Sequence, residues 1–97
     1  MVQHMVWMKF KQSVSADRIN EHLEGLRGLA GKIPGITHLS CGENFTDRSG
    51  GYTHGLLVTF VDKDALDVYI PHPEHVAVAV PMKNDAEGIM AMDFVTP

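Results

Sequence analysis

The side chains best suited to chemistry are the six histidines and the two tyrosines of this 97-residue chain. Tyr69, His72 and His75 fall within one short stretch, YIPHPEH, while His4 and His54 each sit in an apolar run. Imidazole changes charge nearest to neutral pH and a phenol stays protonated there, so the set suits general acid/base work. His75 falls in the first turn of the segment that starts at Pro73, where the positive end of a helix disfavours imidazolium and leaves a neutral base. His4, His54, Tyr69 and His75 share positions with apolar neighbours, and each buried polar group left unpaired costs about 1–3 kcal/mol. These four must therefore bond one another, water or a ligand. His72, between Pro71 and Pro73, reads as a turn or capping residue, and His22 and His38 are assigned to the surface or to local packing.

A metal centre is the rival reading of the same residues. His4, His54 and His75 form a three-histidine set with one open position, and His72 with His75 forms a two-ligand clip. The chain offers no compact ligand motif and its carboxylates are dispersed, so the expected metal set is none. GGYTHG lacks phosphate-loop spacing and no G-x-S-x-G occurs, which leaves nucleophilic catalysis unsupported. Cys41, the single cysteine, has no CxxC partner and cannot close an internal disulfide. It reads as a small buried side chain and fits a reducing compartment.

The elements that must position these groups follow from periodicity. VQHMVWMKF, residues 2–10, alternates as a strand with His4, Val6, Met8 and Phe10 on one face and Met5 and Trp7 on the other. Ser15 caps a helix carried by Ile19, Leu23, Leu26, Ala30 and Ile33, which Pro34-Gly35 stops. Residues 36–46 read as a second strand with Gly42 as a bulge, 47–51 as a loop, and 53–61 as a third strand with His54, Leu56, Val58 and Phe60 on one face. Asp62 or Asp64 caps a short helix to Ile70, Pro73 opens another segment toward Pro81, residues 83–88 turn, and 89–95 form the last strand.

That order predicts a single domain over residues 1–97 of the α+β class: a ferredoxin-like βαββαβ antiparallel sheet with helices on one face. Met5, Trp7, Leu57 and Val61 are then left on an uncovered face. At about 25 cal/mol per Å2 three or four such side chains in water forfeit several kcal/mol, comparable to the stability of a small domain. A homodimer stacking two sheets resolves the conflict. The 44% apolar and 21% charged contents suit a packed core, and a net charge of −4 with scattered cations disfavours nucleic acid and acidic membranes. His4 and two lysines interrupt the N-terminal apolar run, no stretch reaches spanning length, and the expected location is the cytoplasm.

KIPGI, GENF, GGYTHG, DALDVYI and HPEHVAV, with HMVWMKFK at the start and MDF at the end, resemble the stress-responsive A/B barrel domain (Dabb) family from about His4 to Val95. The resemblance implies a ferredoxin-like fold that dimerises through its sheets into an α+β barrel. The family includes plant stress-response proteins, bacterial proteins without assigned activity, and a plant polyketide cyclase that performs an aldol condensation with no metal or organic cofactor. The cyclase pattern, carried over by position, implies catalytic roles for His4, His54, Tyr69 and His75, with Pro71 departing from an aliphatic residue there. Three readings stand at this level. The first is a cofactor-free acid/base catalyst, or a binder, of a small carbonyl or aromatic compound; the second is a non-catalytic stress-related dimer. A cofactor-independent monooxygenase rests on fold analogy alone.

Overall fold

Val2–Phe10 alternates buried and open side chains from end to end, the signature of a strand with one face on a core. In the computed structural model, which describes residues 1–97, the chain runs β1 (Val2–Phe10), α1 (Ala16–Gly28), β2 (Ile36–Glu43), β3 (His54–Phe60), α2 (Lys63–Tyr69), α3 (Pro73–Asp85) and β4 (Ala86–Val95). All strand pairs are antiparallel and the sheet order is β2-β3-β1-β4, the ferredoxin-like arrangement expected from the sequence. The core lies between the sheet and the helices, with Met8, Val58 and Phe60 meeting Leu26, Leu29 and Tyr69. On the other face Trp7, Met90, Met92 and Phe94 remain exposed.

Local chemistry fixes the joints. Ser15 Oγ accepts from the Arg18 amide, and Asp62 Oδ1 accepts from the Ala65 amide, so α1 and α2 start at side-chain caps. Gly35 has φ of +89°, and a Cβ there would lie 2.6 Å from the Ala65 Cβ, so the turn into β2 requires glycine. Gly25 has a different reason: a Cβ would lie 3.1 Å from Val78 Cγ1, which marks the close approach of α1 to α3.

Four local expectations are corrected. After Gly28 the chain tightens into a 3-10 turn, Leu29–Gly31, whose larger rotation per residue buries Leu29 in place of Ala30. The second strand ends at Glu43 rather than residue 46, because Asn44 turns the chain by bonding Thr46 and Ser49. The irregularity in β2 falls between Ile36 and His38, and Gly42 sits in regular register opposite Gly55. Finally, α3 runs through Pro81 to Asp85 and passes directly into β4, with no intervening turn. Burial of Met82 and two bonds from Lys11, its amide to the Asp85 carbonyl and its Nζ to the Asn84 carbonyl, hold the helix end past the proline.

Candidate functional site

Tyr69 ends α2 and His75 lies in the first turn of α3, so the three-residue joint between the helices, Ile70 to His72, brings their rings together. The ring centroids are 4.2 Å apart with planes at 34°. His72 forms the joint itself: its Nδ1 accepts from the Glu74 amide, which makes it the N-cap of α3 with Pro73 at the first helical position. The expectation that His72 caps rather than catalyses agrees with that geometry.

Tyr69 is fully buried, its ring 5.0 Å from that of Phe60 and 5.9 Å from that of His4. Its hydroxyl is buried and has no hydrogen-bond partner. Such a group ordinarily costs about 1–3 kcal/mol, and its burial pushes the phenol pKa up to about 12. Tyr69 is therefore a hydrogen-bond donor, never a phenolate, across the physiological range.

His75 Nδ1 lies 2.9 Å from the Ile70 carbonyl oxygen. A carbonyl only accepts, so Nδ1 carries the proton and Nε2 of the neutral ring holds the free lone pair. Burial first of all, with Lys83, His4 and His72 adding like-charge repulsion, lowers the His75 pKa from its ordinary value against the opposing bond to Ile70. The side chain is thus a neutral base with a defined basic nitrogen.

His4 projects from β1 toward the same place, and its Nδ1 is 2.5 Å from Asp93 Oδ1 on β4. The register explains the pair, since His4 and Asp93 are direct cross-strand partners. Asp93 orients the imidazole with Nδ1 toward the carboxylate and leaves Nε2 for other work. The sequence reading had no role for Asp93. The signal was present as strand parity: alternation from Asp93 places Ala91 and Ile89 on the same face, opposite Val6 and Met8.

A cavity of about 250 Å3 lies between α3 and the sheet, and both His4 and His75 line it. Most of the remaining wall is apolar, from Val6, Leu26 and Leu56 to Val76, Ala79 and Ile89. Tyr69 is adjacent to this space through the His75 ring rather than part of its wall.

His54 does not join the other three. It pairs with Met8, whereas His4 pairs with Val58, four residues further along β3, a separation of roughly 13 Å at 3.3 Å per residue. Adjacent strands were read correctly, but same-face parity does not make residues neighbours. His54 Nδ1 instead meets Thr53 Oγ1 at 2.8 Å, and its ring stands edge-on to Phe10, with centroids 5.2 Å apart. Burial lowers its pKa. Phe10 in turn stacks on His22, which is buried and bonds Asp85 Oδ2 at 2.7 Å. His22 therefore belongs to the core margin rather than to the surface, and His38 is exposed. No three histidine, cysteine, aspartate or glutamate side chains gather closely enough to hold a metal ion, which separates the members of the three-histidine set. Cys41 is half-buried, its Sγ near the Leu23 carbonyl and its thiol pKa raised by burial.

No helix is long and apolar enough to cross a membrane. Comparison with known proteins is consistent along the whole chain. Residues 2–96 match the family described as Stress responsive A/B Barrel Domain. The stress-response A/B barrel domain-containing protein HS1 of Arabidopsis thaliana is 30% identical, over 96% of this chain and 87% of its own. Olivetolic acid cyclase of Cannabis sativa is 27% identical, over 96% and 94% respectively. Among solved structures, a dimeric ferredoxin-like protein of unknown function from Jannaschia sp. CCS1 superposes with a TM-score of 0.86 at 34% identity, covering 98% of both chains. The chain belongs to the stress-responsive A/B barrel domain (Dabb) family.

Proposed function

We propose that this protein is a cofactor-free acid/base catalyst of carbon–carbon bond chemistry on a small carbonyl compound, of the aldol cyclase type. The observation that carries the reading is the partnerless buried hydroxyl of Tyr69 in ring contact with a neutral His75 whose lone pair is on Nε2. His75 Nε2 takes a proton from the carbon beside a carbonyl. Tyr69 donates its hydrogen bond to the enolate oxygen that forms, after a small displacement of the His75 ring admits that oxygen. The enolate carbon then attacks a second carbonyl of the same molecule, and the proton held by His75 passes to the new alkoxide. His4, oriented by Asp93, fixes the substrate at the cavity wall. A base so placed contributes about 10²- to 10⁴-fold, which suits an acidic β-dicarbonyl position. The relation to a cyclase in the same family supports the reaction class and leaves the substrate to be found.

His54 is carried in this reading as a support for β3 and Phe10 rather than as a group that touches substrate. The working unit is a homodimer. The outer sheet face holds an all-apolar hollow of about 180 Å3 walled by Met5, Trp7, Met90, Ala91 and Met92, which suits a second sheet.

The test is turnover of a panel of β-diketones and β-polyketide thioesters by the wild-type protein and by His75→Ala and Tyr69→Phe. Loss of about 10²-fold or more in each variant is expected. Equal turnover in wild type and both variants would refute the assignment. A non-catalytic, purely structural dimer predicts instead that joint apolar replacement of His4, Asp93 and His75 is neutral or stabilising.

A further inference from the structure

We infer that the ligand of the His4–His75 cavity is an anion, a carbonyl compound with a carboxylate at the end remote from its reactive carbonyl, and that Lys83 is the residue that selects it. The inference rests on the catalytic reading of the cavity and adds the charge of the substrate. Lys83 is the one wall residue with a permanent charge, and no acidic side chain lines the space.

Of the eight lysines and arginines, four are ion-paired, Lys9 with Glu87, Lys32 with Glu74, Arg18 with Asp85 and Arg27 with Glu24, and of the unpaired remainder only Lys83 lines the His4–His75 cavity. Lys83 has no ion-pair partner and makes no side-chain hydrogen bond. Its charge is felt inside, since it helps to depress the pKa of His75. An apolar cavity with one unmatched cation in its wall favours a ligand that brings the missing negative charge, and this local attraction acts against the weaker, screened repulsion from a chain of net charge −4.

The spacing sets the length of that ligand. Lys83 follows His75 by eight positions in α3, roughly 12 Å along the axis at 1.5 Å per residue. Helical side chains lean toward the N-terminus, and because His75 and Lys83 share one helix both lean the same way, so the span stays of that order. The carboxylate and the reactive carbonyl are accordingly separated by an apolar stretch of several carbons, which the Val76, Ala79 and Val80 surface accommodates.

The experiment measures binding by calorimetry or NMR titration for a straight-chain oxo acid of about eight carbons with a terminal methyl ketone, and for its methyl ester. Wild-type protein is expected to prefer the acid by about tenfold, with the preference falling as salt rises. Lys83→Met should abolish the preference while changing ester affinity less than about twofold, and Lys83→Arg should restore it. Equal binding of acid and ester by wild type, or a preference that survives in Lys83→Met, overturns the inference. The outcome is independent of turnover: an anion preference with no effect of His75→Ala on any reaction refutes the catalytic reading alone.

Discussion

Replacing Tyr69 with phenylalanine should make the unliganded protein more stable while removing the proposed activity. The ring contacts to Phe60, His4 and His75 survive the change, because phenylalanine fills the same space. What disappears is one buried hydroxyl that bonds nothing. Its desolvation cost is about 1–3 kcal/mol, and the substitution recovers much of that. At about 2.1 cal/mol/K per residue, a chain of 97 residues shifts its Tm by about 5 °C per kcal/mol, so a rise of several degrees is expected. Turnover should fall about 10²- to 10³-fold, the usual loss for one donor to a developing oxyanion. Thermal and urea unfolding at fixed protein concentration read the first quantity, since a dimer's Tm depends on concentration. Steady-state kinetics read the second. A destabilisation beyond about 0.5 kcal/mol would refute the reasoning, because it would mean that the hydroxyl is satisfied and belongs to a structural network.

Four further outcomes follow from the same structure. Asp93→Ala removes the partner of His4 Nδ1, and should lower kcat about tenfold with the His4 tautomer no longer fixed, as read by 15N chemical shifts. Gly35→Ala places a side chain at φ +89° and against Ala65, and should cost about 1–3 kcal/mol in a urea titration; an unchanged midpoint would contradict the turn geometry. Met92→Glu on the exposed sheet face should convert a dimer to a monomer in light scattering, and a retained dimer mass would place the interface elsewhere. The pKa values of His54 and His75 are lowered from 6.5 in the folded state, so the unfolded chain binds more protons just below that pH. Stability is then full above about 6.5 and declines as pH falls through that value, and His75→Phe should flatten part of the decline in Tm between about pH 7.5 and 5.

Alternation along Val2–Phe10 and His54–Phe60, the caps at Ser15 and Asp62 and the Pro73 start make β1, β3 and the helices legible, because each is a local property of a few consecutive residues. Tyr69 and His75 were legible for the same reason, as they flank one short joint. Asp93 was not, because its role comes from pairing with a residue 89 positions away, and nothing local marks it. His54 was placed with His4 by parity, yet parity fixes only the face. Position along the strand depends on register, which the β1–β3 ladder sets by matching His4 with Val58. Continuation of α3 past Pro81 was hidden for a related reason: Lys11, at the far end of β1, caps the helix end from outside its own segment.

Two histidine–carboxylate pairs flank the core, one between helices and one across the sheet, and they differ in what each leaves unpaired. At the Phe10 end, His22 bonds Asp85, whose second strong partner is Arg18 at 2.7 Å. The Arg18 bond and then the His22 bond lower the Asp85 pKa, and aromatic stacking on Phe10 closes the other side of the His22 ring. Here the imidazole serves as a fastener between α1 and the end of α3. At the other end, His4 has its carboxylate but keeps Nε2 toward a cavity, His75 keeps a lone pair, and Tyr69 keeps a proton that bonds nothing. Side chains of the same types thus differ in what remains unpaired after folding. A fold of this size has little stability to leave in unused polar groups, so polar bonds left open around one cavity support the proposed reading of a ligand that completes them.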